Sequence, residues 1–277
     1  MSTESRERFA DVVRHDPQDL GTACLLIAAE ATGGSDGGLD TELESGLARL
    51  DDLALHVPSR GTDDERLRVA LESFHGEPTD YADLRSSLLP EVLDRRRGLP
   101  ILLSVVWLEV ARRTGIAAAG IGVPGHFVVA VGTDATEPLE APADGVVVVD
   151  PWRHGQVLGL DEARVIGARS GDTSPDDVVL QPYAPVQIVE RILANIRTWA
   201  DRPERWSTAL WSCELALLLP RHAATLRRER GELLIRTGRF VEGAGELDEY
   251  ADAVEGADAT GAEDARTRAR LARSRLN

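Results

Sequence analysis

The stretch that decides the fold reads Arg95-Arg96-Arg97-Gly98-Leu99-Pro100-Ile101-Leu102-Leu103-Ser104-Val105-Val106-Trp107-Leu108-Glu109-Val110-Ala111-Arg112-Arg113-Thr114-Gly115-Ile116. Over residues 99–111 apolar side chains occupy nearly every side, and positive charge then gathers at Arg112 and Arg113. A helix apolar all round belongs inside a protein, so the pattern predicts a central buried helix and not a surface one. Pro100 suits the first turn, where helical N–H groups lack internal partners. Gly115 suits the stop, just past two arginines that favour the negative end of the helix dipole.

Outward from this helix, residues 127–131 and 146–149 are Val-rich runs of strand length, joined by a loop-like segment with Gly132, Pro138, Pro142 and Gly145. Paired as an antiparallel hairpin with Val131 opposite Gly145, they put position 126 opposite position 150. Directly opposed residues share a face with Cβ atoms roughly 4.5–5.5 Å apart, so His126 and Asp150 are expected to hydrogen-bond. A carboxylate in that position fixes the tautomer of a catalytic imidazole. Gly120, Gly122 and Gly125 match the G-x-G-x-x-G spacing, but a helix lies upstream and a strand downstream, the reverse of a dinucleotide site, and Pro124 lacks a donor N–H. The glycines are read as a tight turn ahead of His126.

The order of helix, Gly-Ile, His-led strand and Asp-Pro-Trp resembles the transglutaminase-like core of the cysteine-protease type. There a catalytic Cys begins the helix, and His and Asp sit on neighbouring strands. More narrowly, Phe74-His75-Gly76, Asp80-Tyr81, Ser87, Val92-Leu93, Arg96-Arg97-Gly98-Leu99-Pro100, Pro124-Gly125-His126-Phe127 and Asp150-Pro151-Trp152 resemble the bacterial Sir-B family. That family joins such a domain to a tetratricopeptide-like tail. The resemblance implies an α+β fold: a transglutaminase-like core with a helical N-terminal region over residues 1–185, then a short all-α tail over residues 186–277. It also implies His126 and Asp150 as the catalytic-type pair.

One departure bears on activity. The position of the transglutaminase nucleophile falls at about Pro100, and no Cys, Ser or Thr lies between Gly98 and Leu103. A thiol there would be activated by the helix dipole, whereas a proline offers nothing to activate. Sir-B proteins often carry Ser or Thr two residues after the Pro, where this chain has Leu102. Ser104 is the nearest hydroxyl, either a nucleophile or, as is usual inside a helix, bonded to a carbonyl behind it. Arg97, Pro100, Gly125 and Trp152 complete the expected ligand-binding corner. The run Arg95-Arg96-Arg97 has two readings, an anion site beside a helix N-terminus or an ion-paired connector.

Composition sets the wider bounds. A chain of 277 residues, 43% of them hydrophobic, can bury a full core plus a smaller second unit. The net charge of −16 argues against nucleic-acid or anionic-membrane partners, which need a basic face. Two Cys, Cys24 and Cys213, lie far apart in apolar helical runs, so no disulfide framework is expected and a cytosolic setting fits. The N-terminus shows no signal-peptide pattern, and no cofactor is expected. A metal set of His126, Asp150 and His154 is conceivable but lacks supporting pattern, so none is expected.

Elsewhere, residues 4–14 and 22–32 read as helices broken at Asp16-Pro17, with Thr22 capping the second. Residues 33–38 read as a glycine-rich connector, 39–57 as an amphipathic helix, and Thr62 to Glu65 as a capping box. Residues 84–93 read as two helical pieces interrupted near Pro90, 155–160 as a further short strand, 167–177 as a polar loop, and 181–185 as a linker. The tail carries a 34-residue period, with Trp206 and Phe240, Ala216 and Tyr250, and Leu217 and Ala251 in register. It has room for about one and a half repeats, which must stack on the first domain. Its role is either a helical cap or a protein-binding groove. The Arg-rich end, residues 262–277, is read as a solvated helix folded back on an acidic surface, or as a frayed end. The reading preferred is a non-catalytic adaptor with an unknown protein partner at its tail. The alternatives are an amidase or acyl transferase using Ser104 or a water activated by His126, and a structural assembly subunit.

Overall fold

The computed structural model describes residues 3–15, 19–33, 38–141 and 143–275. The Asp16-Pro17 break and residues 34–37 of the glycine connector lie outside them. The N-terminal half is helical: α1 (Thr3–His15), α2 (Leu20–Thr32), α3 (Leu39–Leu55) and α4 (Asp63–Leu71). Asp19, not Thr22, caps α2, its carboxylate accepting from the Thr22 N–H at 3.0 Å. Glu65 supplies the reciprocal half of the α4 capping box, accepting from the Thr62 N–H at 3.1 Å. Two 3-10 turns, Pro78–Ala82 and Leu84–Ser87, lead into α5 (Leu89–Arg95). The break expected near Pro90 falls at Leu88, because Pro90 sits in the tolerant first turn of α5.

The central helix α6 (Pro100–Thr114) has the bounds its sequence implies, with Pro100 in its first turn and Gly115 in the left-handed conformation at φ 69° as its C-cap. It touches α2, α3 and α4 as well as the sheet, and Trp107 at its middle is fully buried.

The sheet has five strands, all antiparallel, in the order β4-β3-β2-β1-β5: β1 (Ala118–Val123), β2 (His126–Val131), β3 (Val147–Asp150), β4 (Gln156–Leu158) and β5 (Gln181–Pro182). Strand alternation divides two cores. Phe127, Val129, Val131 and Val149 join the main core with α6, while Val128, Ala130 and Val148 join a second core beneath α7 (Leu160–Gly171).

Three expectations are corrected here. First, β1 is a strand where a turn was expected. Its glycines make room for rings, since a Cβ at Gly120 would lie 2.8 Å from the Phe127 ring and one at Gly122 2.3 Å from Tyr183. The turn itself is Pro124-Gly125, with Gly125 at φ 67°. Second, β2 and β3 pair with Val131 opposite Val147 and not Gly145, a slip of two residues. Third, α7 occupies much of the expected polar loop, because Ala163, Gly167 and Ala168 form a small-residue face that packs under the sheet. The expected linker at 181–185 supplies β5 and the first residue of the next helix.

The tail comprises α8 (Pro185–Trp199), α9 (Trp206–Ala216), α10 (Thr225–Arg236), α11 (Phe240–Val254) and α12 (Ala259–Ser274). The starts of α9 and α11 are 34 residues apart, and so are those of α10 and α12, which makes two full helix pairs and not one and a half. The missing half is α12, whose buried stripe Ala262, Ala265, Ala269 and Ala272 packs on α11. Arg266 pairs there with Asp252 and Glu255, so the Arg-rich end does fold back on acidic surface. Helices α8 to α10 share the main core with the N-terminal half. Arg6 of α1 binds Glu30 of α2 at 2.6 Å and Glu214 of α9 at 2.7 Å, fastening tail to domain. Among the described residues no helix is long and apolar enough to cross a membrane.

Candidate functional site

His126 opens β2 and Asp150 closes β3. In the observed register Asp150 falls opposite Val128, so the two side chains meet diagonally and not head-on. A two-residue slip preserves strand parity, and both still share a face. The His126 Nε2 lies 2.9 Å from Asp150 Oδ1, which also accepts from the Trp152 N–H at 3.0 Å. The carboxylate is wholly buried, and the imidazole side chain is 10% exposed. With Nε2–H donating to Asp150, Nδ1 is the ring nitrogen left to act as an acceptor, the tautomer a general base requires.

His126 lines a cleft of about 570 Å³. Its floor includes Leu99, Pro100, Ile101 and Phe127; Gly125, Tyr81, Asp83 and Ser87 form one side, and α8 with the loop after it forms the other. The first turn of α6 therefore opens on the cleft. Leu99, its N-cap, contributes no side-chain oxygen to the free N–H groups. Where a transglutaminase-type nucleophile would stand, the cleft presents Pro100 and Ile101.

The expected residues separate into two groups. Pro100, Gly125 and His126 line the cleft, with Asp150 directly behind the imidazole. Arg97 and Trp152 do not line it. Arg97 is drawn away by Glu77 at 3.0 Å and Asp80 at 3.2 Å, and Arg95 pairs with the same Asp80 at 3.0 Å, so the run is an ion-paired connector at these two positions, while Arg96 donates to the Ser73 hydroxyl at 2.7 Å. Trp152 stands behind Tyr81, ring centroids 5.4 Å apart, and its carbonyl accepts from the Gly76 N–H. Ser104 is fully buried outside the cleft, and its hydroxyl makes no hydrogen bond, neither to a nucleophile's base nor to a carbonyl behind it. His154 stacks on His75 at 4.6 Å and binds the Glu72 carbonyl, away from the His126–Asp150 pair. Among the described residues no group of three or more His, Cys, Asp or Glu is placed to hold a metal.

Sequence reading missed the tail's contribution. Arg191, Asn195, Thr198, Trp199 and Arg202 recur at helical spacing along one face of α8 and just beyond it, and Arg205 follows; all six line the cleft. The signal was present as a polar stripe beside the buried stripe Ile188, Ile192 and Ile196. The Trp199 indole donates to the Ala82 carbonyl at 2.8 Å, closing the tail onto the turn that holds Tyr81. Burial, followed by the nearby Asp150 charge, pushes the Tyr81 phenol above its ordinary value, which keeps it a donor at neutral pH. Both thiols lie elsewhere, buried and unpaired, and burial pushes Cys213 up to about 12.

Comparison with known proteins agrees with this architecture. Residues 44–194 match the transglutaminase-like superfamily, and residues 196–277 match a tetratricopeptide repeat family. A UPF0162 protein of Xylella fastidiosa is 32% identical over 182 residues, 64% of this chain and 62% of the relative. The chain thus spans a little under two thirds of that relative. A UPF0162 protein of Pseudomonas aeruginosa is 30% identical over 203 residues, covering 70% of this chain and 69% of the relative. F-box only protein 21 of Mus musculus is 37% identical over a segment of 54 residues, 20% of this chain and 9% of the relative. No solved structure matches. With more than half its length matched and the sheet, central helix and repeat tail in place, the chain belongs to the transglutaminase-like superfamily, extended by a tetratricopeptide-repeat tail.

Proposed function

We propose that this chain is a non-catalytic transglutaminase-like adaptor of the cytoplasm, in which the His126–Asp150 pair shapes a binding cleft and the repeat tail engages a protein partner. One observation carries the reading: the imidazole faces a helix start occupied by Pro100 and Ile101, with no thiol lining the cleft. Without a thiol at the helix start, acyl transfer by a covalent thioester has no nucleophile there. Tetratricopeptide repeats are protein-binding scaffolds in general, which supports a partner at the tail. The test is turnover of an activated ester and of a glutamine-containing peptide by wild type and His126→Ala. No rate dependent on His126 is expected. A hydrolysis or transamidation rate that His126→Ala abolishes would overturn the adaptor reading.

A second reading rests on Ser87, which lines the same cleft although only 3% exposed. In it His126 serves as base toward Ser87 or toward a water, in an amidase or acyl transferase. Loss of a measured rate in both Ser87→Ala and His126→Ala would select the serine; loss in His126→Ala alone would select the water.

A further inference from the structure

We propose that the cleft receives an acidic segment of a partner protein, bound in extended conformation along α8. The inference rests on the binding role given to the cleft above and adds the chemistry of its occupant.

Charge is the starting point. The chain carries 47 acidic and 31 basic residues, and most of the arginines in its fold answer a carboxylate. The cleft departs from that rule. Arg191 gives its guanidinium to two carbonyls, those of Val123 at 2.8 Å and His126 at 3.0 Å. Arg205 donates to the Trp199 carbonyl at 3.1 Å, and its guanidinium carbon lies over the Trp199 ring, 3.7 Å from the centroid. Arg202 is exposed, and its side chain makes no hydrogen bond or ion pair among the described residues. Carbonyls and an indole face orient a guanidinium without neutralising it, so three positive charges stand in one cleft with no carboxylate partner of their own. The acid of the lining, Asp83, is already held by Arg85 at 2.8 Å and Arg95 at 3.4 Å. A concentration of uncompensated cations on an otherwise acidic protein selects an anion and repels the protein's own surface.

Spacing chooses among anions. Eight residues separate Arg191 from Trp199, which at 1.5 Å per residue is about 12 Å along α8. Arg202 and Arg205 extend the row past the helix end. A lone carboxylate or phosphate is short against a row of that length. An extended chain, at about 3.3 Å per residue, carries successive carboxylates past all of them within four or five residues. Between the cations the lining is apolar and aromatic, with Phe127, Ile101 and Trp199, so acidic residues interspersed with apolar ones fit best.

The experiment uses full-length protein and a fluorescein-labelled hexapeptide of alternating glutamate and leucine, read by fluorescence anisotropy. Its glutamine counterpart and a C-terminally amidated form are run beside it. Binding of the glutamate peptide is expected, weakened by salt, with the amidated form equal to the free acid and the glutamine form at least tenfold weaker. Arg202→Glu, at an exposed position where folding is not at stake, should weaken binding about tenfold, whereas Arg270→Glu on α12 should leave it unchanged. Equal binding of glutamate and glutamine peptides, or indifference to Arg202→Glu, overturns the proposal. Binding lost on amidation also overturns it, in favour of a terminal carboxylate as ligand. Mass analysis of the bound peptide separates this from the adaptor reading: a bound peptide that is cleaved or modified sinks the adaptor and keeps the recognition, and an intact unbound peptide does the reverse.

Discussion

Two buried aspartates flank the corner where α6 begins, and the fold treats them in opposite ways. Asp80, 1% exposed, accepts from the Glu77 N–H at 2.8 Å, the Ser86 hydroxyl at 2.9 Å, Arg95 at 3.0 Å and Arg97 at 3.2 Å. Asp150, fully buried, loads Oδ1 with His126 and the Trp152 N–H while Oδ2 makes no hydrogen bond, the nearest cation being Arg153 at 3.6 Å. A carboxylate with its acceptor sites filled by fixed donors holds structure in place. A carboxylate left short is aimed at the imidazole it binds, as an orienting group is. The first knits the two 3-10 turns, α5 and the approach to α6 into one corner; the second serves the cleft that the corner supports.

The largest effect expected from breaking this comparison is Asp80→Asn, which takes from Arg95 and Arg97 the buried charge they share and leaves them only the more exposed Asp83 and Glu77; it should cost about 2 kcal/mol of unfolding free energy, read from urea denaturation. The same variant exposes the pH dependence. Burial works to raise the Asp80 carboxyl, but the Glu77 N–H, Arg97 and Ser86 together hold it below the ordinary range. Its folded value therefore lies below the unfolded one, near 3.9. The contribution is fully present above that pH and is lost as pH falls through the folded value. Wild type and Asp80→Asn should differ most at neutral pH and converge in acid. A gap of constant size down to about pH 2 would mean that the cost is one of packing, not charge.

Asp150→Asn should cost less, about 1 kcal/mol, because it removes one charge-assisted hydrogen bond and at the same time relieves an oxygen that had no donor. Its larger consequence is on the imidazole: with the Trp152 N–H holding the amide oxygen in place, Nε2–H keeps an acceptor but loses its charged partner, and nitrogen-detected NMR of His126 should show a weakened hydrogen bond with the same tautomer. Stability losses of equal size in the two variants would erase the distinction between the aspartates.

What was legible in the sequence follows the same division between local and assembled features. The ends of α6 were legible because Pro100 and Gly115 act through their own backbones. The His126–Asp150 meeting was legible although its register was not, since a slip of two residues changes the partner across the strand but leaves the face. The loop of residues 132–146 is too long to fix a register by turn geometry. Strand β1 was hidden by small residues that exist to seat the Phe127 and Tyr183 rings, contacts no window of sequence displays. The end of the chain was legible as a helix, but not as the member that completes a second repeat pair, because the buried stripe of α12 is alanine, weak in any hydropathy pattern. The arginine side of the cleft was the least legible part. Arg191 and Arg205 become neighbours of His126 only once the tail has docked, and that docking is fixed by Trp199 reaching Ala82 and by Arg6 reaching Glu214.

The smallest effect offers the sharpest view of Asp150 because it reads charge without disturbing structure. Tyr81 is raised first by burial and second by Asp150, with Arg191 opposing, and Asp80 is not among the causes. Removing the negative charge in Asp150→Asn should therefore lower the Tyr81 phenol toward its ordinary value, while Asp80→Asn should leave it in place. Half of the Tyr81 surface is open to solvent, which screens the interaction and keeps the shift small. Carbon-13 NMR of tyrosine labelled at Cζ resolves such a change among the three tyrosines of the chain. If Tyr81 moved equally in both variants, the corner would be responding as a whole through loosened packing, and the separate role argued for Asp150 would have no electrostatic basis. If it moved only in Asp150→Asn, the negative charge that orients His126 would be reaching the rim of the cleft, where an incoming acidic segment must also meet it.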